Sequence, residues 1–474
     1  MKRSLLRNLS ILTLADMWAK FLPLMTFPLV TRALGPAVFG QIAFATAATG
    51  LFALAASPGL VPWGIREAAR NAGRESEIAT TLLRTRFAFA AGAFLALSAY
   101  GLALAPDVGA QRLLIILYGF PLLVAALDLG WLFIARQRFG TVALANVLAQ
   151  TVYAGLLLLL VRQPSDAWVL PIAALAAAGV SAAILMARAS RMFATTGLFG
   201  SGIGWRRVVG PSLLLGVGSL MSLTYDKFDI LLLGYFRSGS EVGIYAAAYR
   251  LMGLAMSFHP ILAQVFFPSV AEESATTGTA RHAATYLRAL WFVGIPILVG
   301  GLILTRPLCG LVLGRQYTGT PFLFALLLPN VLLGGLASYY SSLRLMANNR
   351  NRAYVASVTA GAGVNVGLNL VLIPTYGPTA AAVTTCLAQG TVALTAAWLG
   401  RHLPGPQLLG EMARPAGASL VMALVLLGLA SVLPTLFVGV PLVIGGLSYL
   451  GAWWLLGQLN GNGNRPAEAT IASD

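Results

Sequence analysis

The residues best suited to chemistry in this chain are charges set inside apolar stretches long enough to cross a bilayer. Asp16 and Lys20 stand four residues apart, which puts them on one helix face with the acid N-terminal to the base, the better order for an ion pair. A second cluster, Tyr225-Asp226-Lys227-Phe228-Asp229, places Asp226 and Asp229 on a shared face with Lys227 about 100° away. Arg250 follows beside Tyr249 and near Tyr245, and Asp128 sits by itself in another apolar run. A lysine or aspartate at the centre of a membrane helix costs about 3 kcal/mol, so such groups face a cavity or pair with one another. Two readings follow. In one, Lys20, Lys227 and Arg250 bind an anionic group while Asp16, Asp128, Asp226 or Asp229 takes up a proton or sodium ion. In the other, the same residues are buried salt bridges that fix helix register. Lys20, with Asp16 on its own face, fits the second reading better than Lys227 does.

The elements that must carry these residues are membrane helices. The 474-residue chain is 58% hydrophobic and 10% charged, with a mean hydropathy of +0.80, a composition that cannot cover the surface of a soluble fold of this length. At about 20 residues per span, apolar segments fall near 9–31, 40–63, 86–105, 112–135, 141–161, 168–187, 208–234, 243–267, 286–305, 321–345, 353–373, 379–399, 414–433 and 436–456, fourteen in all. The expected fold is therefore an all-α polytopic membrane protein. Met1–Arg7 is basic like the start of a signal peptide, but the apolar run behind it continues past Pro28, which predicts a retained first span.

A net charge of +16 raises nucleic acid as a partner, yet the basic residues are scattered through short connections and form no basic helix or stacking platform. Topology accounts for them. With both termini inside, most of the 31 basic residues fall in inward connections, and Arg32, Arg112, Arg162, Arg237, Arg306 and Arg315 face outward. The segment 65–87, with Arg66, Arg70, Arg74, Arg84 and Arg86, is expected to form one interfacial helix leading into the third span. Its arginines either gather anionic lipid or form a solvated inward loop.

A weak repeat organises the spans. Phe39-Gly40-Gln41-Ile42-Ala43 opens the second and Val242-Gly243-Ile244-Tyr245-Ala246 the eighth, an offset of 203 residues. Arg136-Gln137-Arg138 after the fourth aligns with Arg350-Asn351-Arg352 after the tenth. Six spans separate each pair, an even number, so the halves share orientation as a parallel repeat. The expected organisation is two six-helix bundles over 1–200 and 201–405, two further helices over 406–457 and a disordered cytoplasmic tail over 458–474. Lys20 and Lys227 would then occupy equivalent spans and approach one interface from opposite sides.

Other polar points are weaker. His259 before Pro260 is a candidate proton relay, or a satisfied interior residue beside a kink. Pro23, Pro28, Pro211, Pro260, Pro268 and Pro296 are expected to interrupt spans and free carbonyls. Asn330, Asn365, Asn369 and Gln389 suit interhelical hydrogen bonds. Cys309 and Cys386 are far apart, with no CxxC spacing, so neither a disulfide framework nor a zinc site is indicated. The chain holds no P-loop, GxSxG or HExxH motif and no clustered metal ligands, so neither enzyme chemistry nor a cofactor is expected beyond proton or sodium coupling.

The segment Arg32-Ala33-Leu34-Gly35-Pro36-Ala37-Val38-Phe39-Gly40 resembles the opening of polysaccharide transporters of the multidrug/oligosaccharidyl-lipid/polysaccharide exporter superfamily, which includes O-antigen flippases. Gly59 with Arg66, Asp226, Val242-Gly243-Ile244-Tyr245, and Asn365 and Asn369 ahead of Pro374-Thr375-Tyr376-Gly377 extend the likeness over most of the chain. Pro378-Thr379-Ala380-Ala381 departs from it where a second glycine is expected, which puts the local helix start in question. The resemblance implies a carrier that moves a polyprenyl-diphosphate-linked oligosaccharide across the bacterial inner membrane by alternating access. It implies membrane lipids around the carrier and a polysaccharide polymerase or other assembly proteins as partners. Peptidoglycan-precursor flippases of this superfamily carry cavity cations on spans 1, 2 and 8, where Lys20, Arg66 and Arg250 lie here. A multidrug extruder is the alternative within transport, but it would favour acids and aromatics over these cations. A membrane polysaccharide polymerase or ligase is the alternative outside it, but such an enzyme would need a large outward loop, and every outward loop predicted here is short.

Overall fold

The structure, a computed structural model, describes residues 2–103, 110–193, 204–276, 281–403, 411–432 and 438–462; side chains at 2–17, 19, 20, 206, 214–226, 274–276, 281 and 459–462 lie outside the description. The helices are α1 (Lys2–Ala56), α2 (Leu60–Arg70), α3 (Glu75–Ala103), α4 (Gln111–Ala125), α5 (Gly130–Ala135), α6 (Phe139–Leu160), α7 (Val169–Phe193) and α8 (Arg206–Phe236). They continue with α9 (Gly239–Ala255), α10 (His259–Thr276), α11 (Arg281–Leu313), α12 (Thr320–Leu327) and α13 (Asn330–Ser338), which runs into a π-helical stretch over Tyr339–Met346. The last are α14 (Asn351–Tyr376), α15 (Pro378–Leu399), α16 (Ala413–Val432) and α17 (Gly439–Asn462).

Twelve helical segments among the described residues are long and apolar enough to cross a membrane. One of them takes in both arms of α1, which Gly35 separates with φ 72° and ψ 169°, and α8 supplies a further 31-residue helix. The count is close to the fourteen spans expected. Large apolar side chains such as Leu394, Val432 and Leu447 point outward, the pattern of a surface solvated by lipid. The chain is an all-α, multi-pass membrane protein.

Two compact units are described separately. The first comprises Met1–Ala246, Val312–Gln316 and Leu370–Pro378. In it α1 packs against α3, α4, α6 and α8, and α6 against α7. One of its cores joins Leu60 and Trp63 of α2, Ile78 and Leu82 of α3, and Trp131 and Phe133 of α5. The second unit holds Ala247–Leu311, Tyr317–Asn369 and Thr379–Asp474. Tyr286 and Trp291 of α11 are buried there against Tyr339 and Leu343 of the π-helical stretch. Its last two helices are tied together by Arg414, which lies 3.8 Å from the Trp453 ring centroid and donates through Nε to the Trp453 carbonyl at 2.8 Å.

Of the expected prolines only Pro260 stands at an interruption, in the first turn of α10 behind the turn 256–258. Pro23, Pro28, Pro211, Pro268 and Pro296 lie inside continuous helices. Breaks occur instead at Gly35, whose positive φ only glycine adopts easily, and at the turns 126–129 and 256–258. Pro36 then opens the second arm of α1 at a position where its missing N–H costs nothing. The single interfacial helix expected over 65–87 is two elements. Gly73, at φ 90°, ends the stretch after α2, and α3 runs unbroken from Glu75, so Arg84 and Arg86 belong to the membrane helix itself. The start of α15 is regular: Gly377 takes φ 57° and Pro378 is its first residue. Arg237 donates to the Ile373 and Pro374 carbonyls at 3.4 and 2.9 Å, closing the C-terminus of α14 with a cation.

Candidate functional site

The charged residues singled out above lie on α1, α2, α4–α5, α8 and α9. Asp16 and Lys20 are on the first arm of α1 and Asp226 is on α8, but all three side chains lie outside the described residues. Lys227 of α8 is half-buried. Asp229, one turn from Asp226, is 2% exposed; its carboxylate accepts from its neighbour's Ile230 N–H at 2.8 Å and from the Tyr245 hydroxyl of α9. Tyr245 is fully buried, so the α8–α9 seam holds an acid against a phenol away from water. A capping box positions that seam. The Ser238 hydroxyl accepts from the Glu241 N–H at 3.3 Å and the Glu241 carboxylate from the Ser238 N–H at 3.2 Å, fixing where α9 begins.

Arg250 is exposed on α9, five residues past Tyr245 and therefore about 140° around the helix from it. Arg66 is exposed on α2, beyond the end of the second arm of α1.

Asp128 is differently placed. Its carboxylate accepts from the Gly130 N–H at 2.7 Å and from the Ser181 hydroxyl of α7 at 3.0 Å, holding the turn between α4 and α5. Arg86, 8% exposed, donates to the carbonyls of Asp128 at 2.6 Å and Ala125 at 2.7 Å. The guanidinium thus ties α3 to the end of α4 and to the turn that follows it. Sequence reasoning placed Arg86 in an interfacial segment and so missed it; the signal available was Asp128 itself, an acid in an apolar run that needed a cation.

Polar residues of the second unit form interhelical links. Thr384 of α15 donates to Asn369 of α14, whose amide donates to the Asn365 side chain at 3.2 Å. Asn330 donates to the Cys386 sulfur at 3.0 Å. His259 is 8% exposed with Nε2 2.9 Å from the Val331 carbonyl, the arrangement of a satisfied interior residue.

Residues 5–274 match the family described as polysaccharide biosynthesis protein. The probable low-salt glycan biosynthesis flippase Agl15 of Haloferax volcanii is 26% identical over 234 residues, 47% of this chain and 49% of that protein. The chain thus spans about half the length of that curated relative. Among solved structures, the lipid II flippase MurJ in an inward closed conformation superposes with a TM-score of 0.73 at 14% identity, covering 94% of this chain and 98% of MurJ. An inward-facing multidrug resistance MATE transporter of the MOP superfamily gives 0.60 at 15% identity, over 81% and 94%. The structural likenesses establish the shared fold, and the sequence match over more than half of the chain makes it a member of the polysaccharide biosynthesis protein family.

Proposed function

We propose that this protein is a flippase that moves a polyprenyl-diphosphate-linked oligosaccharide from the inner to the outer leaflet of the bacterial inner membrane, for surface polysaccharide assembly. The observation that carries the reading is the sequence match to Agl15, a protein named as a glycan biosynthesis flippase, inside a family described by polysaccharide biosynthesis. The physical chemistry agrees. A sugar-diphosphate head group cannot cross hydrocarbon unaided, and a passage lined by cations lowers the cost of moving it. Exposed Arg250 and half-buried Lys227 are the cations of the reading, with Arg66 and Lys20 beside them in role. Asp229, Asp226 and Asp16 are the carboxylates available for proton or sodium coupling, whereas the hydrogen bonds of Asp128 favour a structural part for it. The reaction breaks no covalent bond, so the protein acts as a carrier and not as an enzyme. Bundles over 1–200 and 201–405, with both termini cytoplasmic, complete the picture, and a polymerase or other assembly protein would receive the flipped product.

The test is transport of a labelled polyprenyl-diphosphate oligosaccharide in liposomes. The wild-type protein is expected to move it, and a Lys227→Ala, Arg250→Ala double variant to lose most of that activity. Normal flipping by a correctly inserted double variant would overturn the cation assignment. Failure of the wild type to flip, together with extrusion of organic cations, would overturn the flippase reading in favour of a drug exporter.

A further inference from the structure

Two adjoining cavities in the first unit, about 430 and 720 Å³, share Ala88 and Phe89 of α3 in their walls. Their chemistry is graded. The smaller is lined by Thr81, Arg84 and Thr85 of α3 and by Trp205 at the start of α8, and no acid stands among its described walls. The larger is lined by apolar residues, including Leu51 and Leu54 of α1, Gly92 and Ala96 of α3 and Leu213 of α8. From Arg84 to Ala96 the helix rises about 18 Å, close to one leaflet of a hydrocarbon core about 30 Å thick. With the N-terminus inside, the Arg84 end lies at the inner leaflet.

We propose that this groove binds an anionic phospholipid with a hydroxylated head group, of the phosphatidylglycerol type, its phosphate on Arg84 and one acyl chain along α3. A guanidinium matches phosphate in charge and geometry, and basic pockets between membrane helices on the cytoplasmic side are suited to anionic head groups. Trp205, exposed beside the cavity, has the amphipathic ring that settles at head-group depth. The threonines specify the head group further. The Thr81 hydroxyl donates to the Glu77 carbonyl at 2.9 Å and that of Thr85 to the Thr81 carbonyl at 2.8 Å, so each offers lone pairs to the groove and no proton. A glycerol head group supplies hydroxyl donors for them, and choline supplies none. The occupant is a resident membrane lipid and not the transported one, and the inference does not rest on the transport reading.

The experiment is native mass spectrometry of the full-length protein released from nanodiscs holding equal phosphatidylglycerol and phosphatidylcholine. Wild type is expected to retain the glycerol lipid about tenfold over the choline lipid, because both present a phosphate to Arg84 but only the glycerol lipid carries net negative charge and hydroxyl donors for the threonines. Arg84→Gln should bring the two within about twofold of each other. Gly92→Leu, which adds a side chain where nothing lies within 4 Å of a new Cβ, should lower retention of both lipids while leaving the unfolding temperature of the lipid-free protein unchanged. Equal retention by wild type, or an unaltered preference in Arg84→Gln, would overturn the proposal. Displacement of phosphatidylglycerol by an equimolar polyprenyl phosphate would overturn it as well, by assigning the groove to the substrate's own tail.

Discussion

Gly40 and Gly243 are reciprocal contacts. A Cβ added at Gly40 would fall on the Gly239 carbonyl oxygen, and one added at Gly243 on the Pro36 carbonyl oxygen. Gly239 follows Pro36 by the same 203 residues that separate Gly243 from Gly40. Each partner of the repeat thus touches the counterpart of what touches it, the signature of a two-fold relation. The second arm of α1 and the start of α9 meet backbone to backbone, and small residues are what permit that approach inside a membrane.

Substitution at this contact should therefore be costly. Gly243→Leu forces side-chain atoms into a backbone, an overpacking expected to cost about 1–3 kcal/mol, with Gly243→Ala giving the same sign and a smaller size. Gly253 is the control on the same helix: nothing lies within 4 Å of its added Cβ, so Gly253→Ala should be neutral or gain up to about 1 kcal/mol. Thermal unfolding of purified protein in one detergent checks both. Equal effects at the two positions would refute the contact.

The second half of the repeat was legible only in outline. Sequence alignment set Arg136-Gln137-Arg138 against Arg350-Asn351-Arg352, but the backbone pairs Gln137 with Asn349 and Arg138 with Arg350. Gln137 and Asn349 take φ 55° and 58°, alone among the described non-glycine residues in having positive φ. In each turn the next residue's N–H reaches back five positions, Arg138 to the Phe133 carbonyl at 2.8 Å and Arg350 to the Leu345 carbonyl at 2.9 Å. These are Schellman endings, and the residue that must match is the left-handed one, which arginine counting cannot see. Glycine is the residue such a position favours. Gln137→Gly should stabilise the protein by about 1 kcal/mol and Asn349→Gly by less, because asparagine already tolerates the left-handed region. Midpoints of thermal unfolding would show the order, and a destabilised Gln137→Gly would contradict it.

Hydropathy located the twelve candidate spans found among the described residues because burial in lipid imposes a length and a composition that no other constraint competes with. It misjudged where helices break, since Pro211 and Pro296 sit within unbroken helices while Gly35 does not. It also treated Asp128 as a candidate ion site because spacing along one chain does not reveal Arg86, 42 residues earlier, lying over the same turn.

That turn gives a further prediction. Arg86→Met removes two charge-assisted hydrogen bonds to the end of α4 and should cost on the order of 3 kcal/mol, with Arg86→Lys intermediate because one ammonium cannot reproduce the guanidinium fork. Asp128→Asn keeps one acceptor where the carboxylate has two, so it should lower stability while leaving any response of transport to proton or sodium gradients as in wild type. A double-mutant cycle between the positions should return a non-zero coupling. Loss of gradient response in a well-folded Asp128→Asn protein would instead return Asp128 to the ion pathway.

Asp229 is the carboxylate for which the opposite is expected. It is 2% exposed and held by the buried Tyr245 hydroxyl inside a membrane helix, the placement in which an ionisable residue marks an ion pathway. Asn at this position preserves size and a hydrogen-bond acceptor while removing the charge. In liposomes under an imposed proton or sodium gradient, Asp229→Asn should lose the stimulated part of oligosaccharide flipping and retain exchange measured with no gradient. Tyr245→Phe removes one hydrogen bond, worth about 1 kcal/mol of stability, and leaves the carboxylate, so it should keep the stimulation but need a different ion concentration to reach half of it. A gradient response in Asp229→Asn equal to wild type would sink the coupling role, because the acid would then be serving only to hold α8 against α9.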